Sequence, residues 1–166
     1  MTSRQTRKSS TSAGQTDAPP VRSPHAQAIW LAYLAIVQTS EHLQREFAEL
    51  FKPHDLSLTQ YNVLRILRGS GGEGATCGDV AGSLIRHDPD VTRLLDRLDR
   101  RGLIERARDT KDRRVVRTRI TRAGLALLAD LDGPVGEVHE RQLGHLGEAR
   151  LVELGALLDV VRTSKP

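Results

Sequence analysis

Apolar positions recur at helical spacing along most of the chain. Ile29, Tyr33, Ile36, Leu43, Phe47 and Leu50 form a heptad-like stripe that predicts one long helix over Pro24 to Phe51. Trp30, Leu34 and Val37 widen the stripe beyond what one neighbouring helix can cover, and Lys52-Pro53 stops the helix. Ser57-Leu58-Thr59-Gln60 has the form of a capping box, in which the serine caps and the glutamine reaches back. Tyr61, Leu64 and either Leu67 or Ile66 then give the buried face of a short second helix. Thr76 caps a third helix reaching Ile85, with Asp79 in its first turn and Val80, Leu84 and Ile85 pointing inward. A fourth helix is capped by Asp88, has Pro89 at its first position and ends at Gly102. Two short segments of partly alternating pattern, Leu103 to Ala107 and Val115 to Ile120, flank a polar loop and predict a β-hairpin. Thr121 caps a fifth helix through Leu125, Leu128 and Leu131, which Gly133-Pro134 kinks or briefly interrupts before Val135, Val138 and Leu143 resume it. After Gly147 a last helix carries Leu151, Leu154, Leu158 and Val161.

A long helix, three short helices, a hairpin and two further helices predict a mainly α fold. Its centre is a winged helix-turn-helix with a small β-hairpin wing, between flanking dimerisation helices. The expected organisation is a polar tail over 1–23, an N-terminal dimerisation helix over 24–53, the winged lobe over 54–120 and C-terminal dimerisation helices over 121–163. The tail is too poor in apolar residues to order itself and is either a plain tail or, through Arg4, Arg7 and Lys8, a strand that brushes DNA. The outer helices carry apolar stripes with little of their own to cover them. Pairing with a second copy in a two-fold homodimer resolves this.

Composition narrows the class. Hydrophobic residues make up 38% and aromatic residues 3%, so the core is built from aliphatic side chains. The longest apolar run is too short to cross a bilayer, and the N-terminus has no apolar stretch of a secretory signal. The single cysteine, Cys77, excludes an intrachain disulfide framework and a cysteine-rich zinc site, which fits a reducing cytoplasm. Gly69-Ser70-Gly71-Gly72-Glu73-Gly74 matches G-x-G-x-x-G, but a helix precedes it where a dinucleotide fingerprint needs a strand, so it reads as a connection. There is no G-x-S-x-G, H-E-x-x-H or P-loop. An enzyme is therefore not expected, nor a cofactor or a structural metal.

The formal net charge is only +4, but its distribution is uneven. From Arg86 to Arg122 there are twelve Arg and one Lys against six Asp and one Glu, an excess larger than that of the whole chain. On the fourth helix Val91, Leu94, Leu95 and Leu98 cluster on one side, at about 100° per residue. The opposite side shows Pro89, Thr92, Arg93, Asp96 and Arg100, with Arg97 flanking. Asp96 with Arg100 and Asp90 with Arg93 are spaced for ion pairs. In isolation such a face is a solvated one. With a short helix before it and an arginine-tipped hairpin after it, the face suits a DNA major groove about 12 Å wide. Arg113 and Arg114 at the hairpin tip suit the narrow, electronegative minor groove, with Asp109 and Asp112 bracing the turn.

These residues carry a resemblance. L-S-L-T-Q-Y-N-V-L-R-I-L, D-V-T-R-L-L-D-R-L-D-R-R-G-L-I-E-R and D-T-K-D-R-R-V-V-R-T-R-I-T-R-A-G together resemble the MarR family of regulators, over about Trp30 to Arg162. The strongest element is D-x-x-D-x-R followed by Thr-x-x-Gly, here Asp109, Asp112, Arg114, Thr121 and Gly124. The resemblance implies a homodimeric transcription factor on a pseudo-palindromic operator of double-stranded DNA, usually a repressor released by a small-molecule effector. It implies that Arg114 enters the minor groove beside its bracing Asp112, and that Arg86, His87, Asp88, Thr92, Arg93 and Arg97 lie where the family meets the major groove. Thr76, Pro89, Arg100, Lys111 and Arg113 complete the expected DNA-contacting set. For the effector, Trp30, Tyr33, His42 and Tyr61 are candidate liners, each also explained by core packing. An aromatic or carboxylate compound is the default. The family's peroxide sensors carry a cysteine in the first helix, which this chain lacks, and the spacing of Glu41-His42, His139 and His145 is not that of a metal site. A helical adaptor whose charged helix meets an acidic protein shares the same stripes and basic face. A shift of flanking DNA at moderate salt separates the two.

Overall fold

The computed structural model describes residues 23–85, 89–109 and 112–164. Residues 1–22 of the polar tail and Arg86, His87, Asp88 and Lys111 lie outside the described residues. Helix α1 spans Pro24–Phe51 and leads into a 3₁₀ turn at Lys52–His54, where Pro53 and the left-handed Asp55 (φ 48°) end it. Then follow α2 (Leu58–Gly69), β1 (Ala75–Thr76), α3 (Cys77–Ser83), α4 (Val91–Arg100), β2 (Ile104–Arg108), β3 (Val116–Ile120), α5 (Arg122–Leu143) and α6 (Glu148–Thr163). The chain divides into two compact units at Thr39/Ser40, within α1.

In the second unit, α2, α3 and α4 pack around Val63, Leu64, Leu67, Val80, Leu95 and Leu98, none of which is exposed to solvent. Phe51 stacks on Tyr61 at 4.6 Å between centroids, which joins the end of α1 to this core. Ser57 caps α2 as a full capping box with Gln60, and Leu67 rather than Ile66 is the fully buried member of that helix's face. The bidentate pair of Arg68 with Asp132, at 2.7 and 3.1 Å, ties α2 to α5.

Several sequence expectations need correction. Helix α4 is ten residues long, about 15 Å, and opens on Asp90, whose carboxylate accepts from the Arg93 amide at 3.3 Å. Pro89 therefore precedes the cap instead of sitting at the first helical position. Helix α3 stops at Ser83; Leu84 is extended and Ile85, expected inside, is 83% exposed. Helix α5 runs unbroken through Pro134. An interior proline costs about 3 kcal/mol, and burial of Leu128, Leu131, Val135 and Val138 on one face, each contributing about 1.5–3 kcal/mol, outweighs it. Leu125 on the same helix stays 42% exposed.

The hairpin is part of a three-stranded sheet in the order β1-β3-β2. Ala75 and Thr76 pair with Thr118 and Arg117, and β2 pairs with β3 from Ile104↔Ile120 to Arg108↔Val116. A two-residue strand has no period to read, so β1 was invisible in the sequence. The glycine-rich loop delivers the chain into it. Gly74 has φ +71°, and a Cβ there would lie 2.6 Å from the Thr118 carbonyl oxygen.

No residue of α6 is buried, and Val152, Leu157, Val160 and Val161 are each at least 60% exposed. In the first unit, Ile29, Leu31 and Tyr33 are likewise exposed, and Trp30 stacks on Tyr33 at 5.9 Å.

At the root of the wing, Thr121 Oγ1 donates to the Gly102 carbonyl at 2.7 Å, and the Thr121 amide donates to the Leu103 carbonyl at 3.1 Å. One turn on, a Cβ at Gly124 would collide with the Leu103 carbonyl and lie 2.7 Å from Ile120 Cγ1. Gly124→Ala is expected to lower the stability of the fold by about 1–3 kcal/mol in urea denaturation, the usual cost of overpacking against backbone that cannot withdraw.

Candidate nucleic-acid interface

The first wall of the site is α4. Val91, Leu94, Leu95 and Leu98 are buried, which turns Thr92, Arg93, Arg97 and Arg100 outward. Arg93 Nε pairs with Asp90 at 3.1 Å, as its spacing predicts. Asp96 does not pair with Arg100. Its carboxylate takes Arg106 of β2 at 2.6 Å, while Arg100 Nε donates to the Asp96 backbone carbonyl at 3.3 Å. Arg106 wins because β2 holds its guanidinium in a half-buried position. It also donates to the Thr92 carbonyl at 3.4 Å, so less side-chain entropy is lost than for a solvated Arg100. Arg106 was not anticipated; its only signal was the alternation along the strand that sets it opposite the face of Glu105.

The second wall is the wing. The Asp109 carboxylate pairs with Arg117 across the hairpin and accepts from the Asp112 amide at 3.2 Å. Asp112 in turn accepts from the Arg114 amide at 2.9 Å. Both aspartates therefore brace the turn, Asp112 through the Arg114 backbone. The guanidinium of Arg117, another residue missed in the sequence, is raised further above its ordinary pKa by its bond to Asp109. Arg113 and Arg114 are exposed at the tip.

Helix α3 supports both walls. Thr76 and Asp79 form a reciprocal capping box, with the Asp79 carboxylate accepting from the Thr76 amide at 2.9 Å and from its hydroxyl at 2.8 Å. These two bonds hold the Asp79 carboxyl below the usual aspartate range. Thr76, a candidate contact residue, is thus half-buried and committed to the cap. Cys77 is exposed, with its sulfur 3.8 Å from the Thr92 hydroxyl.

Behind the helices lies a cavity of about 560 Å³ lined by the second half of α1, by α2, by α5 and by Leu84 and Ile85. Phe47 and His139 stand 5.0 Å apart on one wall, and Arg65 lies on the rim with its guanidinium 5.9 Å from the Tyr61 ring. Tyr61 is 4% exposed, and its hydroxyl has no hydrogen-bond partner among the described residues. Of the four candidate liners, Tyr61 belongs to this cavity. His42 is exposed and outside its lining, and Trp30 and Tyr33 are in the other compact unit. Phe47, Arg65 and His139 were not anticipated as liners, because nothing in a helical stripe distinguishes a cavity wall from a core. No group of three or more His, Cys, Asp or Glu among the described residues is placed to hold a metal. No described helix is long and apolar enough to cross a membrane.

Three helices followed by a sheet-borne hairpin define a winged helix-turn-helix protein. Residues 56–116 match the model of the MarR family. The chain is 45% identical to a MarR transcription factor of Planctomyces limnophilus of known crystal structure, covering 79% of this chain and 95% of that one with a TM-score of 0.62. It is 25% identical to MepR of Staphylococcus aureus, solved as a MepR–DNA complex, over 81% of this chain and 97% of that one with a TM-score of 0.72. The HTH-type transcriptional repressor IacR of Pseudomonas putida is 29% identical over 68% of this chain and 66% of that repressor's length. The chain belongs to the MarR family of DNA-binding transcriptional regulators.

Because the folded-state pKa of Asp79 is depressed, its contribution to stability is present above the ordinary aspartate pKa and is lost as pH falls through the acid range. Melting temperature followed from pH 6 down to pH 2 is expected to fall less steeply in Asp79→Asn than in the wild type. Parallel curves would remove the cap from the acid response.

Proposed function

We propose that the protein is a cytoplasmic, homodimeric repressor that binds a pseudo-palindromic operator and leaves it when a small aromatic or carboxylate effector binds. One observation carries the DNA reading: Asp96–Arg106 joins α4 to the wing while Arg93, Arg113 and Arg114 remain exposed beside it. Thr92 and Arg93 then meet base edges in the major groove, and Arg113 and Arg114 enter the adjoining minor groove, helped by Lys111. Arg86, His87, Asp88 and Pro89 extend the reading segment ahead of α4. Helices over 24–53 and 121–163 serve dimerisation, with the lobe over 54–120 as the reader. The uncovered apolar side chains of α6 support the second copy.

The cavity behind α2 supports the effector. Its volume falls in the range of small-molecule sites, its walls are mainly apolar and aromatic, and Arg65 supplies a cation at the rim. A ring fits against Phe47 with its carboxylate toward Arg65. Leu84 and Ile85 line the same space, so an occupant pushes on the segment that leads into the reading helix.

Arg114→Ala is expected to weaken binding to DNA from the protein's own upstream region with an unchanged melting temperature. Arg93→Ala should in addition flatten the ranking of operator variants by about 1–3 kcal/mol at single base pairs. An Arg93→Ala protein weakened equally on every sequence would reassign that side chain to the phosphates. In a thermal-shift series with benzoate and hydroxybenzoates, a ligand that raises the melting temperature should also release the DNA. Arg65→Ala should weaken that ligand by roughly three- to tenfold while sparing its uncharged amide analogue.

A further inference from the structure

A second cleft of about 580 Å³ opens between the C-terminal half of α4 and the α1–α2 junction. Its lining includes Lys52, Asp55, Arg97, Arg100 and Arg101, four cations with one carboxylate. Several arginines elsewhere on the molecule are paired with a carboxylate: Arg68 with Asp132, Arg93 with Asp90, Arg106 with Asp96, Arg117 with Asp109 and Arg141 with Glu46. Among the described residues, Arg97, Arg100 and Arg101 pair with no carboxylate. Lys52 has only a solvent-exposed contact with Glu49 at 3.9 Å.

Arg101 is the informative member. Its guanidinium is fixed by the carbonyls of Asp55 and His54, the latter at 2.7 Å. Carbonyls hold an arginine in place without cancelling its charge, and a fixed guanidinium keeps further donors for an anion. The left-handed turn at Asp55 aims its carbonyl at the end of α4. The outcome is a ledge of excess positive charge, anchored at Arg101 and continuous with the exposed face of α4.

We propose that this ledge is a sequence-independent clamp for the DNA sugar–phosphate backbone, in which Lys52 and Arg97 contact phosphates and Arg101 holds the cleft in register. The inference rests on the DNA-binding reading above and adds a division of labour: Thr92 and Arg93 read bases, and the cleft supplies affinity and orientation. Accumulated like charge in a cleft raises the local concentration of a polyanion and repels nothing the protein needs to bind.

The test is binding of the full-length protein to two unrelated duplexes by fluorescence anisotropy between 50 and 300 mM NaCl. Each phosphate neutralised contributes about 0.9 to the slope of log affinity against log salt, so Lys52→Ala should make a dimer's slope shallower by about 1.8. Arg97→Ala should do the same, Lys52→Arg should restore the wild-type slope, and the ratio of affinities for the two duplexes should not change. Unchanged slopes in both alanine variants would overturn the clamp, and so would an altered duplex ratio in Arg97→Ala, which marks a base contact. If inorganic phosphate at matched ionic strength raises the melting temperature of the wild type but not of Lys52→Ala, and the DNA slopes do not move, the cleft is a free-anion site and the clamp is again overturned. A wild type that binds neither duplex at any salt would instead sink the DNA-binding reading itself.

Discussion

The structure depends most on the close approach at Gly124. There the first turn of α5 lies directly on the Leu103 carbonyl and the Ile120 side chain, while Thr121 bonds to Gly102 and Leu103. Four elements meet at this point: the end of α4, the start of β2, the end of β3 and the start of α5. The threonine is the cap that begins one helix and the staple that closes the sheet, and only a residue without a Cβ lets the helix sit this close. The Thr-x-x-Gly spacing is therefore a packing constraint. It fixes the direction in which the wing leaves the lobe and the direction in which the long C-terminal helix departs.

From that root one ion pair holds the wing to α4 and a second braces the wing itself. Isolated exposed pairs contribute little to stability. Asp96–Arg106 and Asp109–Arg117 differ because one partner in each is on a strand whose position the sheet already determines. The aspartates among the arginines thus take charge away from Arg106 and Arg117 and leave it at Arg97, Arg113 and Arg114. A segment with a large excess of arginine becomes a patterned surface.

Much of this was legible because it is local. Ser57 with Gln60, Thr76, Thr121, Gly102 and the alternation around the hairpin are signals within a few residues of their effect, and each appears where it was read. Where sequence and structure differ, the cause is not local. Asp88-Pro89 is a good start signal for α4, yet Asp90 is the residue whose carboxylate reaches the Arg93 amide. The spacing of Asp96 and Arg100 is visible in a sequence, and the approach of Arg106, ten residues on, is not. The cavity liners Phe47, Arg65 and His139 come from three helices, and only the fold brings them together. Of the two outcomes expected at Gly133-Pro134, an interruption does not occur, because burial along α5 exceeds the local penalty.

The Tyr61 hydroxyl has one more implication. It is buried and bonds to nothing among the described residues, a deficit of about 1–3 kcal/mol. A phenylalanine there would keep the stacking on Phe51 and carry no unmet polar group. What this side chain contributes to the fold is therefore the contribution of its ring, and the oxygen counts against it.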